Sequence, residues 1–589
     1  MPSRASGADR RGRVLRGVIL ALLVVALLGP GLGPGYVLIH DQVFVPDQSL
    51  LPWMLGLGSG LPRSVPQDAV VGLLSGPVPG WLLEKVALVA GLALLGGGVS
   101  RLLRPAGTGA RVLGTVVAVW SAFVVERLLM GHWSLLLAVG TLPWLVDLGR
   151  RARSGERGTW APWLLLVSLA SLTVSGGVLA LATSLPVAVG PRSRLSVARR
   201  LLWVGTGAVA QLPWLVPAVV GGTGLTGAGA TGSAVFDLRA ENGLGALVTA
   251  LGTGGIWNAE AVPGSRGTVL APLATLVLLV LAGLGARRTV EVLGRAAVLM
   301  LGVLAVLGIG WAVAGTVPLL ETPVGWVLSS VPGGGVLRDA QKWLAPWLVL
   351  LAVSAGLGAD VTARRLARRT DRLTGRTLLV ALALVPLACL PDAVWGVGGR
   401  LASVDYPADY AAVRDRLASA APGDAISLPW QSLRRFPWND GRTVLDPVPR
   451  AMPRTVVTSD TLVVRSGGRL VVVPGEDPRA ARISAARAGN EPLGPVLAGL
   501  GIAWVVVATD VPDATADLPP DAVLVSPGEH LALYRLGPAV VPGTPSGTGV
   551  VVAADLLTAA LVLAAAARAA LSAVRSTASR RRRDVATGW

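Results

Sequence analysis

The sequence is short of several residue types, and each shortage excludes a class of protein. It has one cysteine, Cys389, so it can form neither an intramolecular disulfide nor a cysteine-based metal cluster. Only two of its 52 basic residues are lysines, Lys85 and Lys342, and neither lies in a G-x-x-x-x-G-K-[ST] motif. The chain is therefore not a P-loop ATPase.

Charged residues are also scarce, which indicates a lipid environment. They make up 15% of the 589 residues, whereas 52% are hydrophobic. Soluble domains contain about 25% charged residues. The composition therefore predicts an α-helical membrane protein, and a nucleic-acid partner is not expected despite the net charge of +18.

Twelve apolar runs predict about 12 transmembrane helices, although several runs are shorter than the roughly 20 residues of a straight span. The first run follows an arginine cluster and is expected to be an uncleaved signal anchor. The runs cover residues 14–38, 81–100, 112–125, 135–148, 161–174, 178–189, 201–220, 269–284, 296–313, 343–357, 377–390 and 550–567.

Arginines recur in every second connection between these runs, and this pattern predicts the orientation. Basic residues of short loops stay on the cytoplasmic side. The two termini and the connections at 101–111, 150–157, 192–200, 287–295 and 364–376 hold 31 arginines, and only seven acidic residues lie in or next to them. We therefore expect a multi-pass protein of a bacterial plasma membrane with both termini cytoplasmic.

The opposite side is predicted to hold the long segments. Within a polytopic domain of about 11 helices at 1–390, these are outer loops at 39–80, 221–267 and 316–342. Residues 391–548 are expected to form an extracytoplasmic α/β domain. Its predicted helices lie at 408–420 and 495–500, and its predicted strands at 502–507 and 531–536. A hairpin is predicted from 461–464 and 469–473, with its turn at Gly467 and Gly468. A last helix at 549–568 and a basic cytoplasmic tail at 569–589 follow.

Acidic and histidine residues cluster where two predicted spans emerge on the outer side. The first outer loop contains His40, Asp41 and Asp47, and the third span ends with the Glu126-Arg127 pair and His132. Sequential helices are usually neighbours, so these loops are expected to line one outer-facing cavity. There a carboxylate takes a proton from an acceptor hydroxyl, and Arg127 or a histidine holds a phosphate leaving group. Taken singly, each residue has the plainer interpretation of a polar group at the membrane interface.

Metal binding is left open by the same residues. His40, Asp41, Glu126 and His132 are suitable ligand types for a divalent cation, but their spacing matches no zinc signature. The sequence therefore predicts no certain cofactor.

Two further sets of residues are candidates for binding. Arg338 and Lys342 are four residues apart just before the tenth span, so a helix there places both cations on one face at the outer interface, where an anionic phosphate suits them. In the C-terminal domain, aromatic and arginine residues are predicted to form an acceptor or partner surface: Trp430, Trp438, Arg434 and Arg435.

These motifs, in this order, resemble the GT-C superfamily. The resemblance rests on the acidic first outer loop, on residues 123–133 (FVVERLLMGHW), on residues 338–342 (RDAQK) before a late span, and on a terminal outer α/β domain. More narrowly, the chain is similar to actinobacterial membrane proteins of the YfhO-type and arabinofuranosyltransferase-like branches. The abundance of Ala, Gly, Val and Arg is also typical of a high-G+C genome.

The resemblance implies transfer of a sugar from a polyprenyl-phosphate donor to a cell-envelope glycan or glycolipid at the outer face. It assigns the catalytic base to Asp41 or Asp47 and the donor phosphate to Arg338 or Lys342, with Arg127 as a further candidate. The sequence departs from the family because its first loop lacks the usual paired acids. A degenerate relative without activity, a membrane scaffold, and a lipid or polysaccharide transporter therefore remain alternatives.

Overall fold

The computed structural model describes residues 3–60, 62–221, 234–466, 469–540, 543 and 547–586. The chain forms a helix bundle, then a sheet domain, then a last long helix. The helices are α1 (Ser3–Leu28), α2 (Gln67–Ser75), α3 (Gly80–Leu102), α4 (Thr108–Val119), α5 (Ala122–Leu129), α6 (Trp133–Arg153), α7 (Trp160–Ala170), α8 (Val174–Val189), α9 (Val197–Val209), α10 (Leu212–Val220), α11 (Gly245–Leu251), α12 (Leu270–Leu293), α13 (Arg295–Ala314), α14 (Pro318–Ser330), α15 (Ala345–Arg369), α16 (Arg372–Cys389), a short left-handed turn α17 (Val394–Gly398), α18 (Ala408–Ala418), α19 (Val448–Ala451), α20 (Pro478–Ala488), α21 (Leu493–Gly499) and α22 (Thr548–Ala586).

Eight helical segments of the described chain are long and apolar enough to cross a membrane, and the count becomes nine if α9 and α10, which meet at a 56° bend, form one span. Each of the 12 predicted runs overlaps a helix, but α7 and α8 are only 11 and 16 residues long. The multi-pass helical architecture is therefore confirmed, whereas the number 12 is not.

Close helix contacts in the bundle depend on glycine. α12 packs along α15, and α3 packs along α6. At the first crossing, a Cβ on Gly285 would lie 2.1 Å from the carbonyl oxygen of Ser354, and one on Gly358 would lie 1.8 Å from that of Leu281. Small residues let helix backbones approach in this way where lipid offers no hydrophobic driving force.

The arginine-rich connections gather at one end of the bundle. Arg101, in the last turn of α3, donates to Asp147 near the end of α6 at 2.7 Å, and Arg16 of α1 donates to Thr108 at the start of α4. Arg153, the last residue of α6, donates to the carbonyl of Val187 near the end of α8. The alternation of basic loops along the sequence therefore corresponds to one physical end of the molecule.

The sheet domain lies at the other end. Its strands are β1 (Asp424–Leu428), β2 (Leu433–Arg435), β3 (Thr443–Leu445), β4 (Val456–Val457), β5 (Leu462–Ser466), β6 (Arg469–Val473), β7 (Ile502–Val507), β8 (Val523–Ser526) and β9 (Ala532–Arg535). The main sheet has the order β4-β1-β7-β9-β8, in which β4, β1 and β7 are parallel and β9 and β8 antiparallel.

The two faces of this sheet bury different sets of side chains, as the alternation of side chains along a strand requires. Ala425 and Trp504 join Tyr410 of α18 in a core that is continuous with the helix bundle. Ile426 and Val505 face the other way and pack with Ile483 of α20. The sheet is therefore covered by helix on both faces, and the predicted α/β character of this region is confirmed.

The predicted elements of the domain agree with the structure in type and nearly in extent. The strand at 502–507 coincides with β7, and the helix at 408–420 corresponds to α18. The hairpin forms from β5 and β6 with Val463 opposite Val472. Its predicted turn at Gly467 and Gly468 lies outside the described residues.

Candidate polar site between the helix bundle and the sheet domain

The first outer loop docks against both the end of α5 and the sheet domain. Tyr36 exchanges two backbone hydrogen bonds with Val404, at 2.7 and 2.9 Å, and His40 lies beside Val444 in a parallel bridge onto β3. The ring of Phe44 packs on Trp133 with centroids 5.1 Å apart. The loop is thereby held between the two halves of the molecule.

A glycine allows this loop to reach the end of α5. Ser121 caps α5 by accepting from the Val124 N–H at 3.3 Å, and the chain leaves the helix at Gly131 with φ of +74°. A Cβ at Gly131 would lie 2.1 Å from the backbone nitrogen of Gln42. The backbone N–H of Asp41 donates to the carbonyl of Met130 at 3.1 Å, so the two main chains lie in direct contact.

The structure brings Asp41, Arg127 and His132 together with a fourth residue, Asp339. Arg127 is fully buried and makes a two-pronged ion pair with Asp339, in which Nη2 donates to Oδ1 at 2.9 Å and Nη1 donates to Oδ2. Nη1 also lies 2.8 Å from Nδ1 of His132. Nε2 of His132 is 3.1 Å from Oδ2 of Asp41. We call these four residues the open cluster because the Asp41 side chain is 52% exposed.

The hydrogen bonds of the open cluster run in one direction. A guanidinium has no acceptor, so Nδ1 of His132 accepts from Arg127 and bears no proton. This assignment, made from the network of partners, leaves the proton of the neutral ring on Nε2, from which it is donated to Asp41. The hydrogen bond from Arg127 to His132 and the one from His132 to Asp41 therefore both favour a negative charge on Asp41.

The electrostatics agree with this direction. Desolvation acts to raise the pKa of Asp41, but the hydrogen bond from His132 and the charge of Arg450 oppose it, and the pKa lies below its usual value. Desolvation also acts on Asp339, where the Arg127 guanidinium outweighs it and lowers the pKa. Both carboxyls are therefore ionised at neutral pH.

Glu126 belongs to a different group of side chains. It is fully buried and accepts from the backbone N–H of Ile256 at 3.1 Å and from the Gln341 amide. Arg266 contacts two acids, at 2.7 Å from Glu241 and 4.0 Å from Glu126. We call Glu126, Glu241, Arg266 and Gln341 the closed cluster. The structure does not bring Glu126 to the exposed carboxylate of Asp41.

The two cations before the tenth predicted span lie near the open cluster but have different surroundings. Arg338 contacts Glu476 of the sheet domain at 3.6 Å and lies over the ring of Phe236 at 5.5 Å. Desolvation lowers the pKa of Arg338, and Glu476 opposes that effect. Lys342 is close enough to interact with Asp339, and no hydrogen bond or ion pair of its ammonium is found among the described residues.

The remaining first-loop acid is used to bind the two halves of the molecule together. Arg414 of α18 donates to the Asp47 carboxylate at 2.5 Å and to the Asp47 carbonyl at 2.8 Å. His40 is 4% exposed, and its Nδ1 lies 2.9 Å from the carbonyl of Leu129. Within the described chain, neither side chain forms a hydrogen bond or an ion pair with Asp41.

The predicted aromatic and arginine surface needs correction, because its four members do not lie on one exposed face. Trp430 is 8% exposed and donates to Ser484 at 3.0 Å within the core of the domain. Arg434 is paired with Asp446 at 3.1 Å, with both side chains fully buried. Trp438 stacks on Phe436 at 4.9 Å. Arg435 alone is largely exposed, where it contacts Glu260 at 2.9 Å.

The residues proposed for a divalent cation do not fit one. Among the described residues, no three histidine, cysteine or acidic side chains converge as ligands. His40 directs one ring nitrogen to the Leu129 carbonyl, and Glu126 is held in the closed cluster. Asp41 and His132 alone supply too few ligands, so no step of the chemistry is assigned to a metal.

Sequence reasoning did not select Asp339, Glu241, Arg266 or Gln341 as functional residues. The sequence contains one indication of the role of Asp339. A guanidinium at position 127 lies within an apolar helical run, and a charge there needs a partner. Asp339 is the acid within the RDAQK motif, but it lies 212 positions after Arg127, and the sequence alone does not show that the two residues pair.

The fold has similar counterparts among solved structures. Arabinofuranosyltransferase AftD from mycobacteria matches with a TM-score of 0.55 at 18% identity, over 89% of this chain and 40% of AftD. A mutant form of AftD matches at 0.52 and 17% identity, over 89% and 42%. ArnT from Cupriavidus metallidurans in the apo state gives a TM-score of 0.44 at 13% identity, over 91% of this chain and 100% of ArnT. No protein-family model and no curated protein sequence matches the chain.

A bundle of apolar helices joined to an α/β domain through a polar site defines a multi-pass membrane protein. In its fold the chain is similar to AftD, as the resemblance of its motifs to the GT-C superfamily predicted. It spans about 40% of the length of AftD.

Proposed function

We propose that this protein transfers a sugar from a polyprenyl-phosphate donor to a cell-envelope glycan or glycolipid at the outer face of the plasma membrane. The observation that carries the proposal is the open cluster, whose hydrogen bonds all favour charge on a half-exposed Asp41. In this orientation the arginine-rich end of the bundle, with both termini, is cytoplasmic, and the sheet domain is extracytoplasmic.

In the proposed reaction Asp41 acts as the general base. Its carboxylate takes the proton of the acceptor hydroxyl as the acceptor oxygen bonds to the anomeric carbon of the sugar. The bond between that carbon and the phosphate oxygen breaks, and the polyprenyl phosphate leaves with the electron pair. His132 and Arg127 orient Asp41, and Lys342, with Arg338 near it, stabilises the departing phosphate.

The proposal favours Asp41 over Asp47 because the two carboxylates have different partners. A neutral histidine donates to Asp41, whereas Asp47 forms an ion pair with Arg414, although both side chains are about half exposed. The ion pair with Arg414 commits the Asp47 carboxylate to the contact between the first loop and α18.

The test uses the purified protein in lipid nanodiscs with a panel of radiolabelled polyprenyl-phosphate sugars and envelope glycan acceptors. We expect Asp41→Asn to lower the transfer rate about 10²- to 10⁴-fold, as for loss of a general base. Asp47→Asn is the matched control and is expected to retain the rate within a few-fold. A large loss in Asp47→Asn with an active Asp41→Asn would overturn the assignment of the base.

A non-enzymatic scaffold is the second candidate, and one observation favours it. Arg338, proposed to bind the donor phosphate, already has the carboxylate of Glu476 as a partner. An inactive wild-type protein across the whole donor panel, with undiminished lipid binding in both aspartate variants, would support this candidate. Transport of a lipid or polysaccharide has no comparable observation in its favour.

A further inference from the structure

His40 is the residue before Asp41, and its backbone joins the first loop to the sheet domain. Its N–H donates to the carbonyl of Thr443 at 2.7 Å, and its carbonyl accepts from the N–H of Leu445 at 2.8 Å. The loop thereby adds a short third strand to the β2–β3 hairpin. Any movement of that hairpin therefore acts directly on the residue next to the proposed base.

The backbone of His40 has an unusual conformation. Its φ is +44°, in the left-handed region that residues other than glycine seldom adopt. Such a conformation is unfavourable for a residue with a side chain and persists only where the surroundings hold it in place. Asparagine tolerates this region better than most residues, which makes it a useful substitute.

The ring of His40 supplies part of what holds it. A carbonyl oxygen can only accept, so Nδ1 donates to Leu129, at 2.9 Å, in the last turn of α5. On its other side Nε2 lies 3.4 Å from the carboxylate of Glu260. One imidazole therefore contacts both the helix that carries Arg127 and the loop between α11 and α12.

Glu260 extends these contacts back to the sheet domain. Its Oε1 accepts from Arg435 at 2.9 Å and its Oε2 from the Thr443 hydroxyl at 3.3 Å. Arg435 also donates to that hydroxyl at 3.0 Å. The backbone and the ring of His40 therefore meet the same hairpin by two separate routes.

From these contacts we infer that His40 is a positioning residue that fixes Asp41 against His132 and makes this placement depend on docking of the β2–β3 hairpin. The inference rests on the proposed function, because it assigns to His40 the orientation of the base proposed there. His40 itself does not touch the reacting atoms.

The first arm of the test measures kcat and KM for donor and acceptor in His40→Ala, His40→Asn and Arg414→Gln. We expect His40→Ala to lower kcat by about 10- to 100-fold, since small displacements of a catalytic group have effects of this size, with KM little changed. His40→Asn keeps a donor for Leu129 and tolerates the positive φ, so it is expected to restore most of kcat. Arg414→Gln removes a different contact between the same loop and the sheet domain, and it should change kcat by less than about threefold.

The second arm does not require activity. Hydrogen exchange of residues 38–44 is compared between wild type, His40→Ala and Arg414→Gln in nanodiscs. We expect faster exchange of this segment in His40→Ala alone, because its backbone hydrogen bonds to β3 are then less well held. Unchanged exchange in His40→Ala would overturn the inference whether or not the protein is an enzyme.

The two arms separate the inference from the proposed function. An inactive wild type with faster exchange in His40→Ala contradicts the proposed function while supporting the coupling of the loop to the hairpin. An active wild type in which Arg414→Gln and His40→Ala lose kcat equally contradicts a specific role for His40. A His40→Asn variant that does not restore kcat would also contradict a specific role for His40.

Discussion

Glu126 and Arg127 are neighbours on α5, and they lie in two polar clusters of opposite character. Glu126 belongs to the closed cluster, where two acids share Arg266 and fully buried backbone groups complete the contacts. Arg127 belongs to the open cluster, where one chain of hydrogen bonds ends on a half-exposed carboxylate. Successive residues of a helix point about 100° apart, so one helix serves both clusters.

The difference separates buried polar groups that connect parts of the structure from those that determine the charge of an exposed group. The closed cluster ties α5 to residues 253–256 and to the start of the tenth predicted span, because Gln341 reaches both Glu126 and the Thr253 carbonyl. It leaves no charged group at the surface. The open cluster uses a similarly buried arginine to determine the charge and orientation of a group that solvent can reach.

The largest expected effect comes from breaking the ion pair at the base of the open cluster. Arg127→Met leaves Asp339 without its partner in a nearly buried position, which costs about 3 to 5 kcal/mol. We expect a clear fall in the thermal unfolding temperature in detergent and loss of sugar transfer. The double variant Arg127→Met/Asp339→Leu should recover stability but not transfer, and a single variant as stable as wild type would contradict the pairing.

The next effect concerns the pH dependence that His132 gives to the open cluster. The pKa of Asp41 is lowered in the folded protein, so its ionised form stabilises the fold above the unfolded pKa, and this contribution disappears as pH falls through the lower folded value. His132→Ala removes a hydrogen bond to a charged group, worth about 1.5 to 3 kcal/mol. We expect the acid limb of kcat/KM to move to higher pH, with roughly 10- to 100-fold lower transfer.

The acid limb of kcat/KM is measured from pH 3 to 8 in the wild type and in His132→Ala. His530→Ala is the matched histidine control because its ring contacts Asp510 and not Asp41. An acid limb that stays in place in His132→Ala would show that Asp41 is not the titrating base.

A smaller effect is expected from the cation beside the open cluster. Lys342→Met removes an ammonium that forms no hydrogen bond or ion pair within the described chain, so the free energy of unfolding should change little. A single cation near an anionic lipid contributes about 1 kcal/mol. We expect KM for the polyprenyl-phosphate donor to rise about fivefold with KM for the acceptor unchanged. Equal changes in both constants would assign Lys342 a structural role.

The smallest effect is expected in the closed cluster. Glu126→Gln keeps the shape of the side chain and removes one of two acids that share Arg266. We expect the free energy of unfolding to change by less than about 1 kcal/mol, and sugar transfer to change less than threefold. A loss of transfer as large as that of Asp41→Asn would remove the distinction between the two clusters.

Much of the fold was accessible from the sequence, because it depends on local patterns. Apolar runs located the helices, alternating arginine loops located one end of the bundle, and β7 was identified from six consecutive apolar residues. The number of spans was not accessible, since α7 and α8 are short and α9 bends into α10. Length and composition alone do not distinguish a short span from a buried helix.

The site was accessible in part, and its limits have a physical cause. The convergence of the first loop on the end of α5 followed from neighbouring helices, which brought Asp41 to His132. Partners such as Asp339 and Arg414 come from segments 212 and 367 residues away, respectively, and no local pattern encodes such pairs. Trp430 and Arg434 were misjudged for a related reason, because burial depends on what the rest of the domain places over a residue.

Gly131 has a consequence for how this site can move. The gap between helix and loop is determined by two main chains in van der Waals contact, and three hydrogen bonds follow one another along it, from His40 to Leu129, from Asp41 to Met130, and from His132 to Asp41. A side chain that changes rotamer cannot widen such a gap. The loop and the helix end should therefore separate as one rigid step, with the acid and its imidazole released together or not at all.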